Sequence, residues 1–511
     1  MNQIKSFLAG LMLATAATAT AGGILTNTNQ SVDFLRNPAR DAAIGLDGVY
    51  SNPAGVAFMP DGLHLAFNWQ YAHQTRTVNT TNSDFAFGKR NGGNSTKTFE
   101  GVANAPIIPS LQAAYNKGDW SFQFNFSVPG GGGKCEFADG LGSFESVVAG
   151  ISQQLGTLTT TLNGSLQQQG SPMLLPVAHG YDMDGYMQGK QYYFGVQLGA
   201  AYKINEHLSV YGGLRLLYGD ASYKAKISNI KVLDANNTSY EFAQYLDMVS
   251  PVANAALQQV EAAIQQLEAA GAEVPAALLQ QQAGLQSVQT LQVYREGVNL
   301  QCDQHGLGIA PVLGVDYKIG RFNFAAKYEF KTQMKMKNKS TLDDGIKIEE
   351  VQKFRDGAEI DEDSPALLTL GAQWSPIDAV RINAGYHHFY DKNVKWYGNT
   401  QDKLGGGTNE YLAGVEWDIT DRLTVSTGCQ LTRYQLTDDY MNDISFVTPS
   451  YSIGFGLSYK VSNAVKLSAA YFQTNYETYK MDCQPAGLNN TTHNEFTRTN
   501  YVLGAGVEVT L

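Results

Sequence analysis

Apolar positions recur at every second residue along most of this chain, the spacing of a strand with one apolar and one polar face. In residues 119–128, Trp120, Phe122, Phe124, Phe126 and Val128 share one face, opposite Ser121, Gln123, Asn125 and Ser127. Residues 191–203 set Tyr192, Phe194, Val196, Leu198, Ala200 and Tyr202 against Gln191, Gln197 and Lys203. Residues 450–460 and 498–511 repeat the pattern. Fourteen such segments can be read, at 62–73, 107–117, 119–128, 191–204, 206–220, 307–318, 321–332, 365–375, 378–391, 408–419, 421–434, 450–460, 463–476 and 498–511. Most reach the roughly 9–11 residues that a tilted strand needs to cross a bilayer. An even count is what single-chain bacterial barrels have.

The connections alternate in length. Six are tight, at 116–119, 204–207, 318–321, 375–378, 419–422 and 461–463, and between them fall long ones such as 129–190 and 221–306. Short periplasmic turns alternating with long extracellular loops are how outer-membrane barrels are built. Tyr115, Trp120, Tyr202, Tyr317, Phe322, Trp374, Trp417 and Tyr459 all sit beside the short turns, as an interfacial aromatic girdle requires. The pattern therefore predicts an all-β fold, a transmembrane antiparallel β-barrel of about 14 strands. Two outer loops carry helical spacing instead. Ile151, Leu155 and Leu158 belong to a stripe over 144–166, and Leu257, Val260 and Ile264 to another within 251–290. Such stripes either pack the loops over the barrel mouth or form an apolar groove that captures a ligand, and the sequence leaves both open.

Composition narrows the classes further. Only 16% of the 511 residues are charged, against roughly 25% in an average soluble protein. Gly accounts for 52 residues and Tyr for 28. The 47 acidic residues outnumber the 36 basic ones, which argues against a nucleic-acid partner. Residues 1–21 read as a signal peptide, with Lys5, an apolar stretch at 7–14 and an Ala19-Thr20-Ala21 cleavage site. Cys135, Cys302 and Cys483 fall in expected outer loops, where a disulfide could form, and Cys429 falls in a strand. No CxxC pair is present, and His387 and His388 point to opposite faces of one strand. Neither a metal nor a cofactor is implied, and no nucleophile or phosphate-loop motif points to an enzyme.

Residues 22–61 do not alternate. They contain two Asn-Pro-Ala triplets, at 37–39 and 52–54, and Asn-Pro favours turns over continuous helix or strand. The run Ala43-Ile44-Gly45-Leu46-Asp47-Gly48-Val49-Tyr50-Ser51-Asn52-Pro53-Ala54-Gly55 resembles the N-terminal hatch of the FadL/TodX family of outer-membrane transporters for long-chain fatty acids and hydrophobic compounds. The resemblance implies a hatch at 22–61 plugging a barrel at 62–511, with Asn52, Pro53 and Ala54 as its motif. It implies a monomer in the bacterial outer membrane, in contact with lipid. Its ligand would be a hydrophobic small molecule, captured by the loops, bound in the lumen and released sideways when the hatch moves.

A carboxylate ligand calls for a basic lumen group. Alternation turns Arg215, Lys327, Lys331, Arg381 and His387 inward, beside the acids Glu329, Glu416 and Glu508. Each base either binds ligand or simply neutralises an acid in a polar lumen, and the second role is the more economical. Pro129 and Gly130 open a Pro-Gly-Gly-Gly-Gly run at the end of the third strand. Proline removes a ladder donor and glycine weakens pairing, so the run is either a loop hinge or a defect in the wall. The same barrel could also serve as a diffusion porin, a haem or hydrophobic-cofactor receptor, or a scaffold for a secretion partner.

Overall fold

A computed structural model describes residues 31–342, 353–484 and 490–511. The expected signal peptide and residues 22–30 lie outside the described residues. The strands are, in order, β1 (Gly62–Thr81), β2 (Thr96–Lys117), β3 (Trp120–Phe137), β4 (Gly180–Lys203), β5 (Leu208–Leu233) and β6 (Ser239–Glu241). Then come β7 (Val298–Ile319), β8 (Phe322–Glu329), β9 (Lys335–Ser340), β10 (Glu359–Asp361), β11 (Leu367–Ile377) and β12 (Val380–Phe389). The last six are β13 (Thr408–Asp418), β14 (Leu423–Arg433), β15 (Ser450–Lys460), β16 (Val465–Tyr476), β17 (Tyr479–Cys483) and β18 (Thr492–Thr510).

Fourteen of these strands pair antiparallel in a ring, and β1 closes it by pairing with both β2 and β18. The remaining four, β6, β9, β10 and β17, are short extensions of the same sheet at its loop end. Closure removes the free edges that would otherwise recruit other strands. No described helix is long and apolar enough to cross a membrane. The outward face is instead an apolar band, with Phe122, Leu198, Leu313 and Phe455 among its exposed members. All eight aromatic residues beside the short turns are exposed in the same way. A closed ring with this surface is suited to lipid, because the strands satisfy one another's backbone groups around the ring and the outer side chains are apolar.

Several strands run well past the segments that alternation marks. β1 continues to Thr81, β3 to Phe137 and β5 to Leu233, while β4 begins at Gly180 and β7 at Val298. The loops expected at 129–190 and 221–306 are correspondingly shorter. Above the apolar band the outward positions are polar, for example Thr75, Thr77 and Asn79, so both faces read alike and period two disappears although pairing continues. The strand expected at 321–332 stops at Glu329 and pairing with β7 resumes only at Lys335. Cys135, Cys302 and Cys483 lie on β3, β7 and the end of β17 rather than in loops, and all four cysteines are free thiols.

The loop end is covered by three helices, α3 (Gly142–Gln168), α4 (Phe242–Ala269) and α5 (Ala276–Leu291), numbered after the two short helices described below. Their stripes meet in one buried core. Ile151, Leu155, Leu257, Val260 and Ile264 are buried in it with Phe144, Tyr245 and Val288, and Leu158 packs partly buried against it. Asp443, from the 435–449 loop, caps α3 by accepting from the Ser143 N–H at 2.8 Å.

Candidate functional site

The lumen is occupied by residues 31–61, which form two short helices, α1 (Val32–Arg36) and α2 (Gly48–Ser51), joined by turns. Ser31 caps α1 by accepting from the Phe34 N–H at 3.2 Å. Both Asn-Pro-Ala triplets use the asparagine alike: Asn37 Oδ1 accepts from the Ala39 N–H and Asn52 Oδ1 from the Gly55 N–H, each at 3.2 Å. This is the local turn that makes Asn the favoured residue before such a bend.

The 52–54 triplet is tied to three strands. Asn52 Nδ2 donates to Asp316 of β7 at 2.6 Å, the Pro53 carbonyl accepts from Gln123 of β3 at 2.7 Å, and the Ala54 carbonyl accepts from Ser209 of β5 at 2.7 Å. Further bonds join Val32 to Asn68, Ala42 to Asn323, Val49 to Gln197 and Val56 to Asn116. Inward polar side chains on β1, β2, β4 and β8 thus satisfy backbone groups of a segment that has little regular structure of its own. Strand glycines let the segment come close. A Cβ on Gly371 would lie 2.5 Å from Ala42 N, so only glycine fits that approach.

Charge fixes the far side of the segment. Glu416 of β13 is ion-paired with Arg36 at 2.7 Å and with Arg40 at 3.0 Å, and Arg381 lies 3.4 Å away. Arg36 also pairs with Asp33, and Arg40 with Asp47, both at 2.7 Å. These pairs are buried, so breaking one strands a charge in a low-dielectric interior. Sequence reading did not find Arg36 or Arg40, because a non-alternating segment gives no face along which to orient its side chains, nor Asp316, because alternation along β7 assigns a face and no partner.

Each base that alternation turned inward has an acid partner. Arg215 pairs with Glu329 and donates to Gln197, and Lys327 pairs with Glu329 at 2.7 Å and donates to the Tyr50 carbonyl at 2.8 Å. The Tyr50 ring lies 4.7 Å from both cations. Arg381 makes a bidentate pair with Asp418, at 2.7 and 2.8 Å. His387 bridges Asp41 at 3.0 Å and Glu410 at 2.8 Å, and Lys331 reaches Asp363 at 3.4 Å. Arg215, Lys327 and His387 therefore hold the N-terminal segment to the wall, directly or through one neighbour. Between segment and wall lies a cavity of about 40 Å³, bordered by Phe34, Tyr50, Lys327, His387 and Phe389. At about 10–15 Å³ per water it holds a few waters and no long acyl chain.

The wall is most irregular around β3, where register shifts fall on both of its sides. The β2–β3 register breaks between Ala103 and Leu111. The β3–β4 register shifts between Ser127 and Gly130 and again between Gly130 and Gly133. Pro129 and Gly130 sit at the first of these shifts, and β2 carries Pro106 and Pro109 across the seam. Proline cannot donate to a ladder, and Gly131, at φ +106°, adopts backbone that a side chain would strain.

Neither a family model nor a curated protein matches the chain. Solved structures do. The chain is similar to a Pseudomonas aeruginosa FadL homologue at 13% identity, over 95% of this chain and 99% of that one, with a TM-score of 0.60. It also aligns with the Pseudomonas putida toluene transporter TodX at 14% identity, over 96% and 99%, with a TM-score of 0.49. At 13% identity the likeness to the FadL homologue is one of fold, a barrel of the same kind.

Proposed function

We propose that this chain is a bacterial outer-membrane transporter for hydrophobic small molecules, working as a monomer surrounded by lipid. The observation that carries the proposal is the combination of a filled lumen and an irregular wall. A diffusion porin needs an open aqueous path, whereas here residues 31–61 bond to strands around the ring. A hydrophobic solute gains roughly 0.8 kcal/mol per CH₂ on leaving water, so a route from apolar loop core to lumen to membrane suits it better than a wet pore. The fold shared with a FadL homologue is in keeping with this.

In this reading the outer helices receive the solute, with Ile151, Leu155 and Leu158 of α3 and Leu257, Val260 and Ile264 of α4 as the capture surface. Those side chains are packed together in the described state, so capture requires α3 and α4 to part. Residues 22–61 act as a hatch with Asn52, Pro53 and Ala54 as its anchor. Its shift enlarges the small cavity beside Tyr50 and loosens Arg215, Lys327 and His387 for ligand contact. The solute leaves sideways where the register breaks at Pro129 and Gly130.

Uptake tests the proposal. Cells whose only route is this barrel are given labelled hexadecanoate, labelled toluene and a labelled disaccharide. Uptake of either hydrophobic probe with exclusion of the sugar supports it. Sugar entry without hydrophobic uptake would assign a diffusion porin instead.

A further inference from the structure

Beyond the apolar band, the outward face of the sheet changes character with position around the ring. On β1 and β18 it carries Thr75, Thr77, Thr497 and Thr499. On β14 and β17 its cations are matched, Arg433 pairing with Glu477 at 3.0 Å and Lys480 with Glu495. The arc from β3 to β9 differs. Lys134, Lys190, Lys224, Lys226, Lys335, Lys337 and Lys339 point outward there, and all but the half-buried Lys190 are exposed. Their inward neighbours Tyr223 and Met336 are buried in the loop core, so alternation fixes the face on which the lysines stand.

Strand register gathers them into two groups. Lys134 lies directly opposite Lys190, whose other register partner is Ser222. Lys224, two residues beyond Ser222, is therefore a diagonal neighbour of Lys190 at roughly 7–8 Å. On the far side of β7, Asp303 faces both Ser222 and Lys339, and His305 faces Lys337. Two strand spacings and one two-residue step put the backbones of Lys224 and Lys339 about 12 Å apart. Ser222 and Gln301 lie between the two groups.

Acids do not balance this arc. Glu136 takes Lys134 at 3.2 Å, Asp220 takes Lys190 at 2.6 Å and Glu359 takes Lys335 at 3.8 Å. Asp182 and Asp184 are taken by Arg90. Lys224, Lys226, Lys337 and Lys339 are left with Asp303 in their midst, and none of the four is ion-paired among the described residues. Their height is as informative as their charge. Towards the turns the same outward face passes through Tyr218 on β5 and Leu307 on β7, both exposed, into the apolar band. Tyrosine at the edge of such a band marks the membrane interface, and the loop end of an outer-membrane barrel is its exterior end. The lysines thus stand at the level of the lipid headgroups of the outer leaflet.

We propose that this arc is a seat for a phosphorylated glycolipid of the outer leaflet, with Lys224, Lys226, Lys337 and Lys339 holding its phosphates and the apolar band beneath taking its acyl chains. The seat lies outside the barrel and goes beyond the transport reading, whatever the cargo. A lysine ammonium is a flexible point charge that suits a phosphate, and clustered lysines beside a membrane bind anionic headgroups. Two phosphates at opposite ends of a disaccharide head would reach both groups of lysines. Ser222 and Gln301 between them offer hydrogen bonds to its sugar hydroxyls.

The experiment titrates bisphosphorylated lipid A, and the same lipid stripped of its phosphates, against the purified full barrel in non-ionic detergent, read by native mass spectrometry. Each variant is first shown to be folded by heat-modifiable migration. Wild type should prefer the phosphorylated lipid, since each lysine near an anionic headgroup is worth about 5-fold in affinity. Lys224→Gln/Lys226→Gln/Lys337→Gln/Lys339→Gln should weaken its binding by about 100-fold or more, and the four corresponding Arg substitutions should retain it. Arg433→Gln/Lys480→Gln, on the other side of the ring, should bind as wild type does. Inorganic phosphate at matched ionic strength should leave the lipid bound. Equal binding of the two lipids by wild type, full binding by the Gln variant, an equal loss in the Arg433/Lys480 variant or displacement by inorganic phosphate would each overturn the seat. None of these results bears on hydrophobic uptake, and loss of uptake would leave the seat standing.

Discussion

Asn52 Nδ2 donates to Asp316 Oδ2 at 2.6 Å, across 264 residues of sequence, and Asn323 donates to the same oxygen at 2.8 Å. One carboxylate on the wall therefore holds both a neighbouring strand and the N-terminal segment. Asp316 is fully buried and its other oxygen has no partner, so its charge depends on these two amides. Asn52→Ala should loosen the segment by about 1.5–3 kcal/mol, the worth of a hydrogen bond to a charged group. In planar bilayers the variant should show more frequent ion-conducting openings than wild type. A conductance record indistinguishable from wild type would show that Asp316 does not hold the segment.

Gly314 offers a way to lock that segment reversibly. A Cβ built there lies 3.7 Å from the Ala54 Cβ, close to the roughly 3.8 Å of a relaxed disulfide. Ala54→Cys/Gly314→Cys should form the crosslink on mild oxidation. Hexadecanoate uptake should then fall to background and return on reduction, if movement of the segment is part of transport. Unimpaired uptake by the fully crosslinked protein would mean that this part of the segment stays still.

Glu416 gathers three arginines, two from the segment and one from the wall. Glu416→Gln removes the negative charge and leaves Arg36 and Arg40 buried without it. Breaking a buried pair in this way costs about 3–5 kcal/mol. The expected result is a segment that becomes accessible to protease from the turn side while the barrel still runs as a folded species on a gel. Protection equal to wild type would place the grip elsewhere.

The loops should respond to pH. Burial pushes the Asp443 carboxyl up to about 6 from its ordinary 3.8. The folded loop thus binds this proton more tightly than the opened loop does. That contribution is fully present below about pH 4 and is lost as pH rises through about 6, and a shift of two pH units is worth about 3 kcal/mol. Amide exchange at the start of α3, corrected for intrinsic rate, should therefore be slower at pH 5 than at pH 7.5. Asp443→Asn still accepts from the Ser143 N–H but carries no charge, and should abolish the difference.

Much of the ring was visible in the sequence because lipid imposes one rule on its outer face. Phe122, Phe124 and Phe126 alternate with Ser121, Gln123 and Asn125 only because one set meets hydrocarbon. Where that rule lapses, as at Thr75 and Asn79 of β1, the pattern fell silent although the strand went on. Counting turns the bases Arg215, Lys327 and His387 inward, but it assigns a face and no partner. The grip of Arg36 and Arg40 on Glu416 joins residues hundreds of positions apart, with no periodicity to announce it. Lys224, Lys226, Lys337 and Lys339 lie beyond the alternating cores of their strands, and only the register gathers them on one arc. Nothing short of the β1–β18 register places the first strand beside the last.

That seam also sets a schedule for assembly. His64 on β1 bonds to Thr510 on β18, 446 residues later, so the ring cannot shut until nearly the whole chain has been delivered. The segment that fills the lumen precedes β1 and is made before any strand, yet its partners are spread from Asn68 to Lys466. The earliest-made part of the interior is thus among the last to find its place. It must be inside the curling sheet, or thread through an end, before the two edges meet.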